Sequence, residues 1–116
     1  MTSATIYHNP RCSKSRQTLA LLEERNCNIH IVEYLKTPIS KGDITDILTK
    51  LKLAPREIMR IKEAEYKELG LSDTTLTDEQ LIQAMIDTPK LIERPIVLAN
   101  NRAAIGRPPE NVLSIL

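Results

Sequence analysis

Thr5-Ile6-Tyr7-His8-Asn9-Pro10-Arg11-Cys12-Ser13-Lys14-Ser15-Arg16 is the stretch on which the fold turns. Thr5-Ile6-Tyr7 starts a strand. His8-Asn9-Pro10-Arg11 ends it, because Pro lacks a backbone donor and Asn favours turns. A helix then runs from about Ser13 to Glu24. Its apolar stripe is Thr18, Leu19, Leu21 and Leu22, and Arg16, Gln17, Glu23 and Glu24 form the wet side. Asn26 and Asn28 close it. Ile29-His30-Ile31-Val32-Glu33-Tyr34 is β-branched and alternating enough for a second strand. Strand, helix and strand in this order make a βαβ unit, whose crossover is right-handed and whose strands are parallel.

Downstream, Thr37-Pro38-Ile39-Ser40 reads as a loop, with Ser40 as the N-cap of a helix carrying Ile44, Ile47, Leu48 and Leu51 at helical spacing. Pro55 opens a short helix through Ile58 and Met59. Glu63 to Leu69 is another, stopped by Gly70. Thr77 with Gln80 fits a capping box ahead of Leu81, Ile82, Met85 and Ile86. After Thr88-Pro89 the pattern returns to strands: Pro95–Ala99 and Ala103–Gly106 flank the polar turn Asn100-Asn101-Arg102, a hairpin. Pro108-Pro109 begin a last helix with Val112, Leu113 and Leu116 inward. The order predicts an α/β chain with a central mixed four-stranded sheet flanked by helices, and a helical insertion between a βαβ half and a ββα half. That is the thioredoxin-like arrangement, expected here as a single domain over residues 1–116.

The 116 residues suit one core. Apolar residues are 41% of the chain, and with no Phe or Trp and three Tyr the interior must be built from Leu, Ile and Val. Lys and Arg number 16 against 15 Asp and Glu, a net charge of +1 that offers no long-range field for nucleic acid or an anionic membrane. Any anion site must come from local placement of charge. The N-terminus lacks the basic and apolar runs of a signal peptide, and no stretch has the length of a membrane span, so a cytoplasmic setting is expected. The two cysteines then read as reduced thiols. A helix between Cys12 and Cys27 would hold them roughly 15–20 Å apart, whereas a disulfide needs Cα atoms within about 7 Å. A resolving thiol for Cys12 would have to come from another molecule.

Cys12 stands where a strand hands over to a helix. The free N–H groups and partial positive charge there stabilise a thiolate and bring a thiol from about 8.5 into the range of about 3.5–7.5. Arg11, Lys14 and Arg16 add positive charge nearby. Cys12-Ser13-Lys14-Ser15 has Ser where a dithiol motif needs its second Cys, which leaves a monothiol mechanism. A cysteine phosphatase loop would need Arg at the place of Thr18. Two readings stand for His8, a charged neighbour of the thiolate or a loop histidine with a backbone partner. Ser15 either donates to the thiolate or bonds backbone groups in the first turn. Cys27 reads as structural. Pro95 opens the third strand, where this fold places a Pro opposite the cysteine after a cis bond, so Arg94-Pro95 is the candidate. A cis bond there would aim Arg94 at the site. Arg107 follows the next strand, and guanidinium binds tetrahedral oxyanions in a bidentate way. Spacing does not select among Arg56, Arg60 and Lys62.

Three separated segments carry a resemblance. Ile6 to Arg16, Glu93-Arg94-Pro95-Ile96-Val97 and Ile105-Gly106-Arg107-Pro108 resemble, in order and spacing, the motifs of the glutaredoxin-dependent arsenate reductase family, and with its end at Leu116 the chain looks like a shorter branch of it. The resemblance implies Cys12 as the catalytic cysteine, His8 and Ser15 as residues assisting the thiolate, and Arg60, Arg94 and Arg107 as anion-binding arginines. Asn9 and Pro95 are implied as structural residues of the site. It implies attack of Cys12 on arsenate, glutathione as co-substrate, and glutaredoxin as the partner that resolves the adduct, with no metal and no bound cofactor. Two other functions compete: a monothiol, glutaredoxin-like oxidoreductase, suggested by Cys-x-x-Ser, and a non-enzymatic regulator of the same fold that binds a partner such as RNA polymerase. The latter commonly carries a Cys-x-x-Cys switch that this chain lacks.

Overall fold

Strand β1, Ser3–Tyr7, buries Ala4 and Ile6 on the core side. The computed structural model describes residues 2–116. Helix α1 is Ser13–Glu24 and strand β2 is Asn28–Val32. β1 and β2 pair in parallel, from Ser3 opposite Asn28 to Tyr7 opposite Val32. β3, Ile96–Ala99, runs antiparallel to β1, and β4, Arg102–Ile105, antiparallel to β3. The sheet order is therefore β2-β1-β3-β4, four-stranded and mixed. Helices flank it, and the predicted α/β, thioredoxin-like class holds.

The chain divides into two compact units. One joins the residues up to Thr37 with Arg94–Leu116; the other is Pro38–Glu93. In the first, Ala4, Ile6, Leu22, Val97, Ala99, Val112 and Ile115 form an aliphatic core, with Cys27 packed against it. Ile6, Leu22, Val97 and Val112 are completely buried, each stabilising by roughly 1.5–3 kcal/mol. On α1 the buried residues are Ser15, Thr18 and Leu22, one helical face. The helix closes on Asn26 at φ 56°, with Asn26 N–H donating to the Glu23 carbonyl and Cys27 N–H to that of Leu22, a Schellman motif.

The second unit holds α2, Lys41–Leu51, α3, Ala64–Glu68, and α4, Asp78–Asp87, with a 3₁₀ turn at Pro55–Ile58. Ser40 and Thr77 both cap as predicted: each side-chain oxygen accepts from the N–H three residues on, and each cap's own N–H donates to the side chain of that residue, Asp43 or Gln80. Gly70 stops α3 with φ 69°.

Two local expectations change. The hairpin turn is Asn100-Asn101 alone, both with positive φ, and Arg102 belongs to β4 opposite Ala99. Two residues of positive φ match the right-handed twist of the strands better than a three-residue turn does. The last helix is a 3₁₀ helix, Pro109–Ile115. Three residues per turn put Pro109, Val112 and Ile115 on one buried face; Val112 is inward as expected, Leu116 packs against the core's edge, and Leu113 is half-buried. Among the described residues no helix is long and apolar enough to cross a membrane.

Candidate active site

The site grows out of the turn between β1 and α1. Asn9 builds this turn: its carbonyl accepts the Cys12 N–H at 3.0 Å, and its side-chain oxygen accepts the Arg11 N–H at 3.0 Å. The Asn9 N–H in turn donates to Ser15 Oγ at 3.0 Å. Ser15 is fully buried and its hydroxyl lies 2.6 Å from His8 Nδ1. His8 itself is tied to β2 through its N–H, which donates to the Val32 carbonyl at 2.8 Å. His8, Asn9 and Ser15 thus hold one loop closed, and Cys12 is its last member.

Cys12 occupies the N-cap position of α1, in extended backbone (φ −95°, ψ 123°), partly exposed and reduced. Its thiol is held below the ordinary cysteine range. Burial pushes it up, but four groups outweigh burial: the Ser15 N–H, the Arg94 guanidinium, the Lys14 N–H and a hydrogen bond from Arg107. Arg107 Nη1 stands 3.8 Å from Cys12 Sγ and also donates to the Arg94 carbonyl at 3.2 Å. The Arg107 carbonyl is anchored by Asn111 Nδ2 at 3.1 Å.

Both arginines come from the turns that bracket the β3–β4 hairpin, and both precede a cis proline, Arg94-Pro95 and Arg107-Pro108. The second cis bond was not anticipated; the Arg-Pro dipeptide repeated at the two ends of the hairpin was the available signal. Between the two, Gly106 N–H donates to the Pro95 carbonyl at 2.9 Å. A Cβ on Gly106 would lie 2.5 Å from Thr18 Oγ1 and 2.8 Å from Pro95 Cγ. Thr18 is fully buried and donates to the Lys14 carbonyl at 2.8 Å. Gly106 and Thr18 are site residues that spacing alone did not mark.

Several predicted contributions are redistributed. Ser15 reaches the sulfur through its main-chain N–H, while its hydroxyl serves His8 and Asn9. Lys14 also acts through its backbone rather than its ammonium group. Arg16 is turned back onto the Pro10 carbonyl at 2.9 Å. His8 follows neither expected role: its partner is the Ser15 hydroxyl, and its pKa is lowered, by burial first and by Arg16, against an opposing pull from Glu33. Burial thus works against the charged imidazolium. Arg60 belongs to the second unit, where it pairs with Glu63 and donates to the Lys90 carbonyl at 3.3 Å. Among the described residues no group of three or more His, Cys, Asp or Glu side chains is placed to hold a metal.

A thiol shifted toward its ionised form beside the Arg94 and Arg107 guanidinium groups is suited to attack an electrophilic centre that carries negative oxygens. Removing one donor should show in the thiol itself. Arg107→Ala is expected to raise the Cys12 pKa, so that thiolate absorbance and alkylation rate rise only at higher pH. A titration curve unmoved from that of the parent would contradict this account.

A model of the ArsC family matches residues 7–115. The chain is 57% identical over 96% of its length to the uncharacterized protein YfgD of Escherichia coli, covering 94% of that protein. It is 51% identical to an arsenate reductase of Neisseria meningitidis over the whole of both chains. Among solved structures it is similar to an arsenate reductase from Vibrio cholerae, with a TM-score of 0.96 at 51% identity, covering 99% of this chain and 98% of that one.

Proposed function

The chain belongs to the ArsC family, and on that footing we propose that it reduces arsenate to arsenite through the Cys12 thiolate, with glutathione and glutaredoxin as the reducing thiols. The observation that carries the reading is the depressed thiol at the head of α1 with Arg107 within 3.8 Å. The names of relatives matched over the full chain support arsenate as the substrate.

In this reading the Cys12 thiolate attacks arsenic while Arg94 and Arg107 hold the arsenate oxygens, and an oxygen leaves as water or hydroxide. The resemblance adds Arg60 as a third anion-binding arginine. His8, Ser15 and Asn9 act by holding the turn that presents the sulfur and its N–H donors. A glutathione thiol then displaces a second oxygen from the arsenic as water, and a glutaredoxin thiol attacks the glutathione sulfur. Glutathione and glutaredoxin leave as one mixed disulfide, the two electrons of the As–S bond stay on arsenic and take As(V) to As(III), and water then displaces the Cys12 sulfur to release arsenite and restore the thiol. Both cysteines of the chain are free, which suits a resolving thiol supplied from outside. No bound cofactor or metal takes part, and the reaction draws on the reducing thiols of the cytoplasm.

The test is arsenate-dependent NADPH consumption with glutathione, glutathione reductase and glutaredoxin present. Turnover that requires arsenate, glutathione and glutaredoxin together is expected. Consumption no faster than in the mixture without this protein would reject the assignment.

A further inference from the structure

The turn that ends on Cys12 has a second face. Residues 8–11 line one side of a cleft of about 280 Å³ whose other side is Glu33, Leu35 and Lys36. That volume is just below the range for small-molecule sites, roughly 300–1,000 Å³. Its chemistry is mixed in a definite way. Arg11 and Lys36 bring two cations, Glu33 brings one anion, and Pro10 and Leu35 bring apolar surface. Leu35 is 48% exposed, a large aliphatic side chain left open to solvent at the cleft. Lys36 Nζ lies 3.6 Å from the Glu33 carboxylate, and both side chains are well exposed. An exposed pair of this kind contributes little to stability, so either member is free to turn to a ligand at small cost.

Glutathione has the complementary charges: two carboxylates, one ammonium group, and a short thiol arm between them. We propose that this cleft seats glutathione, with Arg11 and Lys36 taking its carboxylates, Glu33 its ammonium group, and Pro10 and Leu35 the thiol arm. The proposal rests on the reading above that glutathione is the co-substrate. The cleft and the reactive sulfur share one turn. Arg11 immediately precedes Cys12, and the Cys12 N–H is held by the Asn9 carbonyl at 3.0 Å. Cys12 itself does not line the cleft, but residues 8–11 lead directly into it, so a tripeptide seated there lies along the same turn as the adduct it must attack.

The test separates binding from turnover. S-methylglutathione keeps the charges and cannot react. Titrated into the reduced, ¹⁵N-labelled protein, it is expected to give saturating shifts at the Asn9, Arg11, Leu35 and Lys36 amides. Lys36→Glu should weaken that binding by about fivefold or more, the loss of one exposed charge contact plus a repulsion. In the coupled assay the same variant should raise the KM for glutathione by a similar factor while leaving the KM for arsenate within about twofold. Leu35→Ala gives a second variant, expected to weaken binding without a change of charge. Absence of saturating shifts at these amides overturns the proposal, as does a glutathione KM unmoved by Lys36→Glu in an enzyme that turns over arsenate. If the parent protein shows no arsenate turnover at all, the functional assignment falls, and the S-methylglutathione titration still decides the cleft.

Discussion

Cys12→Ser abolishes arsenate-dependent turnover, by at least about 10³-fold, and leaves the protein as stable as before or more so. The two effects have opposite signs because the position serves two purposes. As nucleophile, the sulfur is pushed toward its ionised form by the Ser15 and Lys14 N–H groups, Arg94 and Arg107, all acting against burial. A serine hydroxyl is a weak nucleophile without an adjacent general base. The nearest candidate, His8, is engaged with the Ser15 hydroxyl at 2.6 Å. As helix cap, however, cysteine is a poor choice: the large sulfur feels the Ser15 and Lys14 N–H groups that face it but does not close a capping hydrogen bond of ordinary geometry onto either. Serine is among the preferred N-caps, and the backbone there, φ −95° and ψ 123°, already suits one. A gain of about 0.5–1 kcal/mol is expected from the new cap. Coupled turnover and urea unfolding of the same preparation measure both. A variant that keeps a tenth of the parent rate, or that loses more than about 1 kcal/mol of stability, would show that the sulfur has been given the wrong role.

Gly106→Ala is the second large effect, and its cause is steric. The new methyl would sit 2.5 Å from Thr18 Oγ1, 2.8 Å from Pro95 Cγ and 3.1 Å from Thr18 Cγ2. None of these yields easily. Thr18 is fully buried with its hydroxyl committed to the Lys14 carbonyl, and the Pro95 ring has no rotamer to escape into. The backbone after β4 must therefore shift, and it carries Arg107. Overpacking of this kind costs about 1–3 kcal/mol. The displaced Arg107 should also let the Cys12 pKa rise. Urea unfolding reads the first and thiolate absorbance the second. Thr18→Ala removes both Thr18 contacts, so the double variant should recover part of the loss, with a coupling of at least about 0.5 kcal/mol. Full additivity, or an unshifted thiol in Gly106→Ala, would remove Gly106 from the account of the site.

These two positions differ in how visible they are in the chain. Cys12 is legible at once, because the strand, the Asn-Pro turn and the helical stripe after it are adjacent in sequence and define a helix N-terminus by local rules. Gly106 lies 88 residues from Thr18, the residue whose side chain forbids a Cβ there. No periodicity or motif spacing reports a contact of that range. The same contrast runs through the charges. Arg11, Lys14 and Arg16 are near Cys12 in sequence, yet the guanidinium groups that hold the thiolate belong to Arg94 and Arg107, across the sheet.

What the sequence alone determined is the set of elements and their order: a parallel β1–β2 pair around α1, an N-cap opening α2 and a capping box opening α4, and a β3–β4 hairpin closing an aliphatic core. These follow from hydrophobic period, capping chemistry and turn residues, which act over a few residues at a time. Only the tertiary structure decided where the side chains point and what they meet. It turned the Ser15 hydroxyl onto His8, set the Asn100-Asn101 register, made the last helix a 3₁₀ helix, paired Arg60 with Glu63, and brought Arg107 to the sulfur. Such contacts depend on which buried polar groups find partners once the sheet has packed, and that competition is settled between residues far apart in the chain.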